Sequence, residues 1–580
     1  MENSELLKLA EKYLALETNQ HFIDDLKKII DKENYKELND RFYTELSFGT
    51  GGLRGVIGGG LNRMNPYIVK RTTQGLADYV LSAGVNDPSA VIAYDSRNFS
   101  DLFAKEAALV FAANGIKASL FSSLRPTPEL SYAVRELKAT TGIVLTASHN
   151  PAEYNGYKVY WDDGGQIVAP HDKGIIEKVR SVGDDIKSIS WEEASEKGLV
   201  RLIDSEIDDK FIKMVKSYSL RPELLKEKGS DVSIVYTPLH GTGTMLVERV
   251  LKESGINVIT VPEQREPDGN FPTVDFPNPE ESSALKMALD LAREKRADLL
   301  MGTDPDADRL GIAVPSGNEW VLISGNQLGA LLADYIFMSL KEQGRLPEKP
   351  AFVKTIVTTC LQEKIAQSYG AASYDVLTGF KYIAEKIKHF ETTGENYIFG
   401  GEESYGYLVE TETRDKDAVS AAFLTAEMAL YHVSEGRTVL DALNDLYKKH
   451  GYYEEFLISK YFKGQSGLEI MKGLMENLRG ITPKTIGGIK VKTAKDYRAK
   501  IEKDIASGST EPIDLPSSNV LQWKLEDSSI VTARPSGTEP KIKFYCSCVE
   551  PVTSDVAAAK ETVKTKIDAI KTNVNNWLSI

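Results

Sequence analysis

Residues 91–146 read VIAYDSRNFSDLFAKEAALVFAANGIKASLFSSLRPTPELSYAVRELKATTGIVLT. Three short apolar runs lie in this stretch, at 91–94, 118–121 and 141–146, and two longer segments of helical period, 101–114 and 128–137, separate them. Short apolar runs bounded by turn residues read as strands, and longer 3.6-period segments read as helices. The alternation predicts parallel sheets covered by helices, because a parallel return needs a connection long enough to hold one.

Working outward, the same rhythm returns twice. A strand at 233–237, a helix at 244–253, a strand at 257–261, a helix at 282–295 and a strand at 298–302 form a second block. A helix at 327–340, a strand at 351–355 and a helix at 361–369 begin a third. After about residue 455 the pattern changes to a helix at 467–478, strands separated by turns, and a final helix at 556–569. The expected organisation is therefore three α/β domains of similar layout, 1–210, 211–324 and 325–455, and a smaller C-terminal α+β domain, 456–580.

Composition bounds the function. Of the 580 residues, 42% are hydrophobic and 27% charged, the balance of an ordinary globular chain. The formal net charge of −14 argues against a broad nucleic-acid-binding surface, so cations serving an anionic ligand must be gathered in a cleft. The three cysteines, Cys360, Cys546 and Cys548, are few enough to fit a reducing compartment. Cys546 and Cys548 alternate with Ile542 and Phe544 along 541–549, which places all four on one face of a strand. Residues 1–20 form an amphipathic pattern (Leu6, Leu7, Leu9, Ala10, Tyr13, Leu14) rather than a signal peptide, and no run approaches 18 apolar residues. With no lipidation motif either, a cytoplasmic protein without membrane contact is expected.

Four segments carry candidate chemistry. Thr146-Ala147-Ser148-His149-Asn150-Pro151 follows a strand, so Ser148 stands just beyond its C-terminal end, and a serine hydroxyl can accept and return a phosphoryl group. Asp304-Pro305-Asp306-Ala307-Asp308-Arg309 sets three carboxylates at alternate positions. Crowded like charges are costly unless a cation joins them, and oxygen-only ligands favour Mg²⁺, Mn²⁺ or Ca²⁺. A calcium EF-hand does not fit, since Arg309 occupies the place of the loop glycine and Pro315 that of the bidentate glutamate. Gly400-Gly401-Glu402-Glu403-Ser404-Tyr405-Gly406 offers carboxylate and hydroxyl groups in a glycine-rich turn, suited to sugar hydroxyls. Arg534-Pro535-Ser536-Gly537-Thr538-Glu539-Pro540 combines a guanidinium fork with hydroxyls and free N–H groups, suited to phosphate. By contrast, Gly241-Thr242-Gly243 lacks the third glycine of a dinucleotide loop, having Leu246 there, and the seven histidines show no metal-ligand spacing.

In this order the four segments resemble the α-D-phosphohexomutase superfamily, which includes phosphoglucomutases and phosphomannomutases. The resemblance runs from Phe48-Gly49-Thr50-Gly51-Gly52-Leu53-Arg54-Gly55 to Tyr545. It implies three related mixed α/β domains and a smaller C-terminal domain around a central cleft. It implies that Ser148 is phosphorylated in the active enzyme, and that Asp304, Asp306 and Asp308 bind Mg²⁺, which also touches the phosphate on Ser148. Glu402 and Ser404 would hold sugar hydroxyls, with Thr50 and Arg309 also on the substrate. Arg534, Ser536, Gly537 and Thr538 would hold the substrate's own phosphate. Arg54, His149 and Lys158 match cationic residues lining the transfer site. Lys416, displaced by about one residue from the phosphoglucomutase spacing, resembles a lysine that follows the sugar loop. Thr378-Gly379-Phe380-Lys381 looks like the loop that helps select sugar orientation.

Phosphomannomutases tend to end the sugar loop in Gly-His, whereas this chain reads Glu-Glu-Ser-Tyr-Gly, which favours phosphoglucomutase. The Thr-Gly-Phe-Lys and Tyr-Gly-Tyr-Leu stretches, with the N-terminal helical region, look most like the branch containing phosphopentomutase-like phosphoglucomutases. The expected reaction is interconversion of glucose 1-phosphate and glucose 6-phosphate through phosphoserine and a bound glucose 1,6-bisphosphate. Phosphopentomutase and phosphomannomutase activities are the alternatives. Lys158, His149 and Lys416 all stand as candidate bases, and the sequence leaves monomer and dimer both open. A metal-dependent phosphatase and a non-catalytic sugar-phosphate sensor are the rival classes.

Overall fold

In a computed structural model, which describes residues 2–49, 51–462, 467–536 and 540–579, the apolar runs of 91–146 form the centre of a six-stranded sheet. Its strands are β1 (Gly52–Val56), β2 (Ser89–Tyr94), β3 (Lys117–Phe121), β4 (Thr141–Leu145), β5 (Tyr154–Trp161) and β6 (Val200–Ile203). Their spatial order is β1-β5-β4-β2-β3-β6. β2 pairs in parallel with β3 and β4, and helices Ser100–Ala113 and Thr127–Glu136 pack against these strands. Every residue of β4 is buried, as expected of a strand covered on both faces.

The sheets combine the expected parallel pairs with an antiparallel return, in keeping with mixed α/β domains. β5 runs antiparallel to both β4 and β1. Residues 146–153, which join β4 to β5, are too few for a crossover, so the chain turns straight back. The second block repeats this plan with β7 (Ser233–Thr237), β8 (Asn257–Thr260), β9 (Leu299–Thr303), β10 (Leu310–Ser316) and β11 (Glu319–Ile323), in the order β11-β10-β9-β7-β8. β7 is parallel to β8 and β9, and β10 returns antiparallel to β9 after residues 304–309. The helix expected over 282–295 begins only at Lys286. Ahead of it, Ala284 N–H donates to Glu281 O and Lys286 N–H to Ser283 O, a tighter turn than an α-helix makes.

The described residues form two compact units. The first holds the chain up to Gly325 together with Phe380–Phe399 and Ser404–Glu435, and the second holds Asn326–Gly379, Gly400–Glu403 and the chain from Gly436. The first therefore contains both sheets above. Three N-terminal helices, Asn3–Leu16, Gln20–Asp31 and Tyr35–Phe42, belong to it, with Leu6, Ala10 and Tyr13 buried as the amphipathic pattern requires. In the second unit, strand Pro350–Thr355 pairs in parallel with Ala372–Val376, with helix Cys360–Ser368 between them in sequence. Its C-terminal sheet pairs Tyr452–Tyr461 with Lys541–Glu550, and the latter with Ile530–Pro535, all antiparallel. Ile542, Phe544, Cys546 and Cys548 are buried together, as their alternation predicts. The last helix runs Val556–Leu578, beyond the expected 569, because the apolar stripe continues through Ile570, Val574 and Leu578. Among the described residues no helix is long and apolar enough to cross a membrane.

Candidate active site

The Ser148 loop and the acidic loop are the two antiparallel connections, each leaving the C-terminal end of a parallel strand, β4 and β9. Open α/β sheets place their ligands at such ends. Ser148 has φ +52°, a left-handed conformation uncommon for a residue with a side chain. Its N–H donates to Thr146 Oγ1 at 2.8 Å and its carbonyl accepts from Arg97 Nη2 at 2.5 Å. The hydroxyl donates to Asp304 Oδ2 at 2.6 Å and lies 3.2 Å from His149 Nδ1.

Asp304, Asp306 and Asp308 are all buried, and one ligand atom from each lies within 4.8 Å of the others. Each carboxylate divides its two oxygens between the protein and the space they share. Asp304 Oδ1 accepts from the N–H groups of Asp308 and Arg309 at 3.1 and 3.0 Å, leaving Oδ2 toward Ser148. Asp306 Oδ2 accepts from Lys158 Nζ and from Thr127 Oγ1, both at 2.7 Å. Asp308 Oδ2 accepts from Lys158 Nζ and pairs with Lys416 Nζ, both at 3.1 Å. Asp306 Oδ1 and Asp308 Oδ1 are buried without a hydrogen-bond partner among the described residues. Leaving charged oxygens unpaired in the interior is expensive, so the donor set fits a small, hard divalent cation.

The electrostatics agree. Burial, then Asp306 and Asp308, push the Asp304 carboxyl well above its usual range, a strain that a cation relieves. Burial alone would raise Asp308, but Lys158, then Lys416 and Arg309, hold it below the usual carboxylate range. Burial alone would lower Lys158, but Asp306 and then Asp308 overcome it and keep the ammonium charged. Burial, then Arg309, hold His149 well below an ordinary histidine, in its neutral form.

The other expected site residues are placed as follows. Arg54 Nη1 donates to Asn150 Oδ1 at 3.2 Å, at the far side of the Ser148 loop. Arg309 Nη1 donates to Glu280 Oε1 at 2.5 Å, with Nε 3.9 Å from Asp308 Oδ1. Lys416 also lies 3.2 Å from Asp415 Oδ1, while the other oxygen of Asp415 accepts from Tyr160 at 2.7 Å. Ser404, in the same unit, is half-buried. In the second unit Gly379 N–H donates to Glu402 Oε1 at 3.1 Å, and Thr355 Oγ1 to Glu403 Oε2 at 3.2 Å. Thr378 Oγ1 is buried without a partner among the described residues. Arg534 stands near the Tyr545 hydroxyl, where its charge opposes the effect of burial on that group, and Ser536 N–H donates to Lys541 O at 2.7 Å. Thr50, Gly537 and Thr538 lie outside the described residues.

Sequence reading missed Arg97 and Thr127. Both follow strands parallel to β4: Arg97 in Asp95-Ser96-Arg97 directly after β2, the neighbour of β4, and Thr127 at the start of helix Thr127–Glu136 on the connection after β3, one strand further out. The signal that could have found them is position, since all three loops open at the same edge of one sheet.

Comparison with known proteins follows the same lines. Models of the phosphoglucomutase/phosphomannomutase α/β/α domains I, II and III match residues 45–184, 209–317 and 324–450. The chain is 36% identical over 528 residues to a phosphoglucomutase of Staphylococcus saprophyticus, covering 90% of this chain and 94% of that one. It is 37% identical over 538 residues to a phosphoglucomutase of Staphylococcus aureus, covering 92% and 95%. Among solved structures it is similar to parafusin, a phosphoglucomutase from Paramecium in an open form, with TM-score 0.69, 17% identity and coverage of 91% and 95%. A phosphoglucomutase/phosphomannomutase family protein from Burkholderia thailandensis gives TM-score 0.65 and 18% identity, covering 92% and 97%. These two likenesses bear on the fold: three α/β/α domains followed by a β-rich C-terminal one.

Proposed function

Because this chain belongs to the phosphoglucomutase/phosphomannomutase family, and is a phosphohexomutase on that footing, we propose that it interconverts glucose 1-phosphate and glucose 6-phosphate through phosphoserine at Ser148. The observation that carries the proposal is the 2.6 Å hydrogen bond from Ser148 Oγ to Asp304, which sets the nucleophile against the buried aspartate trio. In the first transfer the bond between phosphorus and Ser148 Oγ breaks as one forms to a free hydroxyl of the sugar phosphate, giving glucose 1,6-bisphosphate. The hydroxyl proton passes to a base, and neutral His149 at 3.2 Å from Ser148 Oγ suits that task. Lys158, kept charged, faces the negative charge that develops on the transferring group. Asp304, Asp306 and Asp308 would hold Mg²⁺, which would supply further electrostatic stabilisation to the transferring group. The second transfer is the reverse, with the other phosphate returning to Ser148.

Arg54, Arg309 and Lys416 add positive charge around this centre. Glu402, oriented by Gly379 N–H, and Ser404 take sugar hydroxyls, and Thr50 and Thr378 are assigned as further substrate-binding residues. Arg534, Ser536, Gly537 and Thr538 take the phosphate that is not reacting. The free state of Cys360, Cys546 and Cys548 supports a cytoplasmic setting.

One coupled assay tests the class. Glucose 6-phosphate should appear from glucose 1-phosphate without inorganic phosphate, and peptide mass spectrometry should find phosphate on Ser148. Ser148→Ala should fold and lose nearly all turnover; a folded variant with normal turnover would end the phosphoserine reading. Release of inorganic phosphate would make the protein a phosphatase. Equal or better kcat/KM on mannose 1-phosphate or ribose 1-phosphate would move the substrate but not the reaction class.

A further inference from the structure

Arg97 follows β2 directly and its side chain is 0% exposed. A buried guanidinium needs partners for its charge and its fork of donors. Arg97 finds them almost wholly in the connection from β4 to β5. Its Nη2 donates to the carbonyls of Ser148, at 2.5 Å, and Asn150, and its Nη1 to those of Pro151 and Tyr154 at 2.8 and 2.9 Å. Asp95 orients it: Oδ2 lies 3.4 Å from Nε, and Oδ1 accepts from Arg97 N–H at 2.9 Å and from Ser100 Oγ at 3.0 Å. On its other side the guanidinium lies 5.0 Å from the ring centre of Phe271, a residue of the second block. Next to it, Asn98 Nδ2 donates to Asn270 Oδ1 at 3.0 Å. One side chain thus ties the whole Ser148 loop to the block that carries the aspartates.

We propose that Arg97 is a positioning residue for phosphoryl transfer, holding the Ser148 loop in the left-handed turn that aims Oγ at Asp304. The proposal rests on Ser148 being the phosphorylated residue. The physical reason is geometric. A left-handed serine is disfavoured and persists only where its surroundings over-determine it. Four carbonyls gathered on one planar fork do so, and a lysine ammonium, with three donors on a single atom, cannot reach all four.

The test compares Arg97→Lys with Arg41→Lys. Arg41 is similarly buried and bonded, to Asp25, Glu37 and Gly59 O, but within the N-terminal helices and the loop beside them. Arg97→Lys should lower kcat by about 10²-fold, the scale of an ångström-level misplacement of a reacting group, while KM for glucose 1-phosphate stays within about twofold. Arg41→Lys should lower Tm and leave kcat unchanged. Where Arg97→Lys does not fold, Asp95→Asn, which keeps the arginine but loosens its orientation, should show the same fall in kcat at constant KM. A folded Arg97→Lys, or in its place Asp95→Asn, with kcat near wild type overturns the positioning role. So does a loss that Arg41→Lys reproduces. Ser148→Ala run alongside reads the phosphoserine assignment separately: loss of turnover there, with full kcat in Arg97→Lys, refutes the role of Arg97 alone.

Discussion

Replacing Thr127 by valine removes one hydroxyl and isolates how the metal loop is held. Thr127 Oγ1 donates to Asp306 Oδ2 at 2.7 Å in a fully buried setting, while Thr127 N–H donates to Asp306 O at 2.9 Å. Valine keeps the second bond, so the loop stays in place and only the carboxylate loosens. A hydrogen bond to a charged group contributes about 1.5–3 kcal/mol. Asp306 Oδ2 retains Lys158 at 2.7 Å, so part of that loss is recovered and Oδ1 turns less reliably toward the shared space. A residual of about 1.4 kcal/mol corresponds to a tenfold weaker Mg²⁺ midpoint, the lower end of what partners of metal ligands usually contribute. The assay is a Mg²⁺ titration of the mutase rate, with calorimetric titration of Mg²⁺ into the same protein. kcat at saturating Mg²⁺ should stay within about threefold of wild type. An unchanged midpoint in a protein of unchanged Tm would refute the reasoning. A fall in kcat at an unchanged midpoint would place the hydroxyl in the transfer step instead.

Two further outcomes are expected. Arg534→Ala should raise KM and lower kcat/KM by at least about tenfold, the scale of one or two charge-assisted hydrogen bonds to phosphate; an unchanged KM would leave Arg534 as a turn residue. Glu455, which accepts from Ser547 Oγ at 3.0 Å, has its pKa raised to about 7, chiefly by burial. Between the ordinary glutamate range and pH 7 the folded state keeps a proton that the unfolded chain has lost, so stability falls as pH rises through that window, by about 3 kcal/mol in all at about 1.4 kcal/mol per pH unit. Glu455→Gln should therefore flatten the Tm profile between pH 5 and pH 8 and exceed wild type at the upper end; parallel profiles for the two proteins would show that Glu455 titrates normally.

How much of this was legible beforehand depends on the range of the interaction concerned. Apolar runs and helical period are local, and the strands at 118–121, 233–237 and 351–355 lie where their hydrophobic pattern puts them. The start of the helix at Lys286 depends on turns at 281–285, and the extension of the last helix to Leu578 on what its stripe packs against, so both bounds moved. In the site, Ser148 and the three aspartates are recognisable because they crowd chemistry into a few consecutive residues. Nothing in the residues beside Arg97 and Thr127, even the prolines that flank Thr127, points to these contacts. Their contacts to Ser148 and Asp306 span 51 and 179 positions of the chain, and only the pairing of β2, β3 and β4 creates them.

The antiparallel return in each of the first two sheets also explains where the candidate chemistry sits. β4 returns through residues 146–153 and β9 through residues 304–309, each time as an antiparallel neighbour rather than across a helix. A connection of that length must stay at the C-terminal end of its strand, over the edge where the parallel neighbours also open, and it must turn sharply enough to force left-handed residues. Ser148 at φ +52° and Ala307 at φ +49° are those residues. In the third block strand Asn396–Gly401 is followed by residues 402–406 and then by Tyr407–Leu408, and Tyr405 there has φ +65°. Three loops with different candidate tasks therefore occupy one position in three repeats of one plan. A short connection after the third strand gives each block a tight loop with a left-handed residue, which carries Ser148 in the first, the three aspartates in the second and Glu402 and Ser404 in the third. On this argument, lengthening residues 146–153 by a few residues would relax the turn at Ser148 while leaving β4 and β5 paired. Turnover would then fall far more than stability, and an insertion that lowered the two together would show that the shortness of the loop serves the fold alone.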